Sequence, residues 1–354
     1  MHINDLLRMM VTKGASDLHL KAGGLPVFRI NGQLIPQEEV PEMTLQDMRQ
    51  VFEEVTTDEQ RSSFADELEL DFAYQVDGIG RFRINAYLQG GIISLACRPV
   101  QRQIPSIEAL GLPEVCKSLV LKPRGLIMVT GPTGCGKSTT LAAMMGYLNQ
   151  EERRKVVTIE DPIEFVHQDK KCIFSQRELG TDTRSFANAL KHALRQDPDV
   201  ILVGEMRDLE TMSAALTAAE TGHLILTTLH TPSAPQAIDR FVDVFPPHQQ
   251  QQVRTQLSTA LEGVLYQTLV PRSDGSGRIP AVEVMLATTA IRNLIREGKT
   301  YQISNAIQTG AQYGMQTLDQ ALLALCRNGI ISREEALARS MNVEELKGML
   351  GGSY

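Results

Sequence analysis

The sequence predicts an α/β chain: a larger C-terminal part built on a parallel sheet, and a smaller mixed sheet-and-helix domain over the first hundred residues. Three observations predict it. Short apolar runs rich in β-branched residues occur at 126–130, 156–159, 200–203 and 224–228. They lack polar alternation, as strands covered on both faces do. Segments of helical period lie between them. The first run ends in a glycine-rich turn, GPTGCGKST, followed at once by helix-forming LAAMMGYL.

Taken in order, residues 27–30 and 33–35 read as strands joined at Asn31-Gly32, a pair that supplies the positive φ of a tight hairpin. Thr44 is the expected N-cap of a helix over 44–52, with Leu45, Met48 and Phe52 on one face. Residues 71–76, 80–88 and 92–98 read as successive strands turning at Asp77-Gly78 and Gly90-Gly91. Pro99, Pro105, Pro113 and Pro123 then interrupt regular structure. The expected domains are therefore 1–100, a connection over 101–123 that reads as a hinge or as a long surface loop with one short helix, and 124–354. In the last of these, Phe186, Leu190 and Leu194 recur at helical spacing, and Asp208 caps a helix over 209–221 that Gly222 ends. A helix over 251–265 is expected from Leu257, Leu261 and Val264, and the chain reads as mostly helical after 285.

Bulk composition narrows the function classes. At 354 residues the chain is long enough for two cored domains, and 22 % charged with 42 % hydrophobic residues is ordinary globular composition. No apolar run approaches the roughly 18 residues of a membrane span. The opening MHINDLLRMM lacks a cleavable apolar core, so a cytoplasmic protein is expected. Five scattered cysteines without a CxxC pair argue for reduced thiols and against structural zinc. A net charge of −7 without a basic stripe argues against nucleic acid as the main partner.

The turn GPTGCGKST, residues 131–139, fits GxxxxGK[ST] between a buried strand and a helix. Gly131, Thr133, Gly134, Cys135 and Gly136 let backbone N–H groups close around an anion, and the helix that opens at Lys137, Ser138 and Thr139 adds partial positive charge there. Lys137 reaches the β- and γ-phosphates of ATP, and Ser138 ligates Mg²⁺.

Hydrolysis needs acids as well. TIEDPIE (158–164) and Glu205 follow two later strand runs, and in a parallel sheet the strand C-termini converge on the ligand edge. Glu205 suits the Mg²⁺ side, partly through water, and Glu164 suits the attacking water. The alternative for any one acid is a helix cap or a pair with Arg184 or Arg207. His223 and His230 bracket the strand LILTTL, either as γ-phosphate sensors or as structural histidines.

These stretches, with DVILVGEMRD and TGHLILTTLHT, resemble in order and spacing the secretion ATPases of type II secretion and type IV pilus systems. ASDLHL (15–20), AIRNLIRE (290–297) and GMQTLDQAL (314–322) resemble marks of the pilus retraction branch. The resemblance implies a PAS-like N-terminal domain, a RecA-like P-loop ATPase domain and a ring of six subunits. It implies an ATP-hydrolysing retraction motor at the cytoplasmic face of the inner membrane, docked on a pilus platform protein and not inserted in the bilayer. It assigns Glu164 as catalytic base, Glu205 as Walker B acid, and His223 and His230 as couplers of nucleotide state to the subunit interface. Arg81, Arg83 and Arg98 would act on the phosphates. Nucleotide-driven domain closure about the proline-rich connection would supply movement.

Two positions depart from the pattern. Cys135 stands where serine is common, as an oxidation-sensitive thiol or an inert replacement. The turn at Gln89-Gly90-Gly91 lacks an arginine often found nearby. No four-cysteine zinc site appears, which favours retraction over extension. A related secretion or conjugative-transfer ATPase, or an accessory retraction paralogue, is the competing reading.

Overall fold

The computed structural model describes residues 2–100 and 103–351. The chain divides into two compact units, Met1–Arg102 and Gln103–Tyr354. Gln101 and Arg102, at the start of the expected connection, lie outside the described residues.

The first unit runs α1 (Ile3–Thr12), β1 (Asp17–Leu20), β2 (Val27–Ile30), β3 (Gln33–Pro36), α2 (Leu45–Val55), α3 (Asp58–Glu67), β4 (Glu69–Val76), β5 (Gly80–Gln89) and β6 (Ile92–Pro99). Its strands form an antiparallel sheet in the order β3-β2-β1-β6-β5-β4. Ile3, Leu6, Leu7 and Met10 of α1 recur at helical spacing and are fully buried with Met48 and Val51 of α2. Asn31 and Gly32 take φ of 49° and 83°, the positive values the β2–β3 turn needs. Thr44 caps α2 and shares a capping box with Asp47. Alternation along β5 buries Phe82, Ile84 and Ala86 and turns Arg81 and Arg83 to the opposite face. Arg98 on β6 pairs directly with Arg83, so the three arginines share that face.

The second unit begins with residues of the expected connection, where one of the two readings places a short helix. Ile107, Leu112 and the short helix α4 (Val115–Val120) bury Cys116, Leu119 and Val120 in its core. Then follow β7 (Gly125–Thr130), α5 (Lys137–Glu151), β8 (Lys155–Glu160), β9 (Ile173–Glu178), α6 (Phe186–Ala193), β10 (Val200–Val203), α7 (Leu209–Glu220), β11 (Leu224–Leu229), α8 (Ala234–Asp243), α9 (Pro247–Ala260), β12 (Leu261–Pro271) and β13 (Arg278–Leu286). The helices α10 (Thr289–Arg296), α11 (Ile303–Gln308), α12 (Leu318–Arg327), α13 (Arg333–Arg339) and α14 (Val343–Gly351) complete it.

The sheet order is β13-β12-β7-β11-β10-β8-β9, parallel except for β13. Every residue of β7, β10 and β11 is buried. Leu126 and Met128 face one helical layer while Ile127 and Val129 face the other. Asp208 caps α7 through the Thr211 N–H, as its position predicts.

One expected element is corrected. The helix expected over 251–265 ends at Ala260, and Leu261 starts β12. Leu257, Leu261 and Val264 fit a helical period locally. Residues 261–271 are instead sandwiched between β7 and β13, and that two-sided pairing overrides the local pattern. In AIRNLIRE, Ile291 and Ile295 are fully buried and Leu294 is half-buried, so this segment is in part an ordinary core helix.

Candidate functional site

The glycine-rich loop leaves the C-terminal end of β7 in the middle of the sheet. Gly131 has φ of 145°, and a Cβ there would lie 2.3 Å from the Gln267 carbonyl oxygen and 2.8 Å from Cys135 Sγ, so only glycine fits. Gly134 and Gly136 also take positive φ. Lys137 opens α5 with its side chain buried, and its Nζ donates to the carbonyls of Gly131 at 2.9 Å and Pro132 at 3.1 Å. Burial pushes its pKa down, opposed by Cys135, Glu205 and Glu164. Thr133 and Gly134 are exposed at the top of the loop, and Ser138 and Thr139 are half-buried at the start of α5.

The acids converge on this end of the sheet. Glu205 follows β10 and pairs with Arg207, and its Oε1 lies 3.3 Å from His230 Nε2. His230 follows β11; burial and the Lys137 charge push its pKa down, opposed by Glu205 and aided by Arg207. The turn carrying His230 is tied to β7, because the Thr231 N–H donates to Thr130 Oγ1 at 2.9 Å. Glu164 is exposed, close enough for its charge to act on Lys137. One sheet edge thus gathers an ammonium, two carboxylates, an imidazole and a ring of amides, a set suited to gripping a polyphosphate and activating water.

His223 does not join this group. It lies at the N-terminal end of β11, where its carbonyl accepts the Gly125 N–H and its Nδ1 lies 3.0 Å from the Ala218 carbonyl. Leu229 lies six residues further along the strand, about 20 Å at ~3.3 Å per residue. Sequence order placed the two histidines at the ends of one strand; only one end is the phosphate end.

Arg83 and Arg98 have partners within the first unit. Arg98 donates from Nε and Nη2 to Asp17 Oδ1 at 3.0 and 2.7 Å, and Arg83 lies 3.7 Å from Asp71. Burial would raise the Asp17 pKa, but the bonds from Arg98 and Ser16 hold it below the ordinary carboxylate value. Cys135 is 3 % exposed. Burial raises its thiol pKa against the pull of Lys137, an environment that disfavours the reactive thiolate.

Several contributors were not legible from the motifs. Gln267 of β12 is buried beside the loop; its Nε2 donates to the Cys135 carbonyl at 2.5 Å and its Oε1 accepts from Thr140 Oγ1 at 2.7 Å. A lone amide inside the apolar strand LYQTLV was the available signal. Next to Gly136 and Thr139, a cavity of about 310 Å³ is walled by Leu110, Leu112, Leu269, Pro280 and Arg278. Apolar side chains beside two guanidiniums, those of Arg272 and Arg278, suit the flat face of a nucleobase.

Beyond Glu164, the His167 ring stacks on Phe174 with centroids 4.5 Å apart, and burial pushes its pKa from 6.5 down to about 4. Its folded value lies below its unfolded one. The stability it contributes is therefore whole above about pH 6.5 and is lost as pH falls through that window to about 4. Thermal melts across the window should show a steeper fall in Tm for the wild type than for His167→Phe; parallel slopes would refute this.

The sequence profile of the type II/IV secretion system protein family matches residues 1–338. The chain is 50 % identical over 336 residues to a type IV pilus retraction ATPase, PilT, of Pseudomonas aeruginosa, covering 95 % of this chain and 97 % of the relative. It is 43 % identical over 350 residues to the type IV pilus ATPase PilU of the same species, covering 99 % and 91 %. A crystal structure of the pilus retraction motor PilT with bound ADP superposes with a TM-score of 0.92 at 45 % identity, covering 98 % of this chain and 99 % of that one.

Proposed function

Because the chain belongs to the type II/IV secretion system protein family, we propose that it is the ATP-hydrolysing motor of type IV pilus retraction, which underlies twitching motility. The observation that carries the chemistry is the meeting of Lys137, Glu164, Glu205 and His230 around one glycine loop at the C-terminal edge of a parallel sheet. In this reading the loop amides and Lys137 hold the phosphates, and the base enters the cavity between Leu110 and Arg278. Glu164 takes the proton of the attacking water, and His230 registers the terminal phosphate through Glu205.

Mg²⁺ supplies charge neutralisation at the phosphates when bound. Among the described residues, no group of three or more His, Cys, Asp or Glu could hold a metal alone. That suits an ion coordinated mainly by nucleotide and water, with Ser138 and Glu205 as its protein contacts. The resemblance assigns Arg81, Arg83 and Arg98 to charge stabilisation at the transferring phosphate. His223, away from the phosphates, is assigned to the subunit boundary. The working state is proposed as a homohexamer docked on an inner-membrane platform protein at the cytoplasmic face. Among the described residues no helix is long and apolar enough to cross a membrane.

A deletion strain scored for surface pili and twitching tests the reading. Excess pili that cannot withdraw are expected, restored to normal by the wild-type gene and not by Glu205→Ala. Normal twitching in the deletion strain would remove the retraction assignment.

A further inference from the structure

Glu164 sits on an irregular strap, residues 161–172, between β8 and β9. Irregular segments of this kind hold a side chain loosely unless their backbone polar groups are taken up elsewhere. Here they are taken up by side chains of regular elements. Glu178 of β9 accepts the Ile163 N–H at 3.1 Å, one residue before Glu164. Gln176, two residues earlier on β9, covers the residues just after it: its Nε2 donates to the Phe165 carbonyl at 2.9 Å, and its Oε1 accepts the His167 N–H at 2.8 Å. The same Nε2 also donates to Glu160 Oε1 at 3.1 Å. At the far end of the strap, Asn149 of α5 donates to the Gln168 carbonyl and accepts the N–H groups of Lys170 and Cys172.

The Gln176 contacts have a specific form. Its amide uses both donors and its acceptor, meeting a carbonyl and an N–H two residues apart as a neighbouring strand would. Its own place in the sheet does not need that side chain, since β9 pairs with β8 through the backbone, with Gln176 opposite Thr158. A carboxylate of the same length could accept from His167 but could not donate to Phe165, and it would stand against the Glu160 carboxylate.

We infer that Gln176 is a positioning residue for hydrolysis, holding the strap so that the Glu164 carboxylate stays aimed at the glycine loop. Together with Glu178 it brackets Glu164 from both sides. This rests on the proposal above that Glu164 activates water.

The test uses the full chain and compares steady-state ATPase activity with the affinity for a fluorescent ATP analogue. Gln176→Met should lower kcat by about 10–100-fold, the cost of a small misplacement of a reacting group, with analogue Kd changed by less than about twofold. On a Glu164→Gln background the same change should add almost nothing, because both act through one carboxylate. The inference is overturned by a kcat within about threefold of wild type, by a Kd that rises as far as kcat falls, or by a full further loss on the Glu164→Gln background. Should Gln176→Met fail to fold, Gln176→Glu is read by the same criteria. A slow Glu164→Gln beside a normal Gln176→Met removes only the positioning role. A Glu164→Gln of normal turnover removes the base assignment and this inference with it.

Discussion

Lys137→Ala is expected to lower ATP turnover by about 10²–10³-fold and to weaken nucleotide binding, the scale seen when one preorganised charge donor is removed from a water-poor site. Lys137 is 8 % exposed, and its ammonium is held between the Gly131 and Pro132 carbonyls. Burial makes its charge costly without a counter-ion, and for the same reason strengthens its pull on an arriving phosphate. Cys135, Glu205 and Glu164 oppose the fall in its pKa that burial causes. Alanine leaves the loop glycines in place, so the fold should persist and the loss should be electrostatic. Phosphate release and equilibrium binding, measured on variant and wild type together, check this; turnover within about tenfold of wild type would end the phosphate-site assignment.

Glu164→Gln is expected to slow hydrolysis by about 10²–10⁴-fold, the usual contribution of a positioned general base, while ATP still binds. The substitution keeps size and shape. The strap that carries it is anchored through the backbone at Ile163, Phe165 and His167, none of which depends on the Glu164 side chain. Geometry is thus preserved while the proton acceptor is lost. Single-turnover rates with prebound nucleotide separate the two steps, and an unchanged rate would transfer the role of base to another group.

How far such roles could be read from residue order depended on how local their cause is. The glycine loop was legible because each constraint lies within nine residues: glycines for positive φ, then a helix start. The Asn31-Gly32 turn and the Asp208 cap were legible for the same reason. Strand β9 was not: IFSQRE lies at the sheet edge with only Glu178 buried, so it carries no apolar run. Strands β12 and β13 were missed because their identity comes from pairing with each other and with β7, not from local period.

For this chain, the sequence by itself determined the parallel α/β architecture, the phosphate loop and the acids that follow its strands, since hydrophobic period and backbone chirality act between near neighbours. Tertiary structure alone decided which groups meet. It put His230 beside Glu205 and carried His223 to the far end of the same strand. It set Gln267 under the loop and closed the cavity beside it from residues as distant as Leu110 and Arg278. Those contacts depend on which strands lie side by side, and strand order is settled by burying both faces of the whole sheet at once, a condition that no single segment carries.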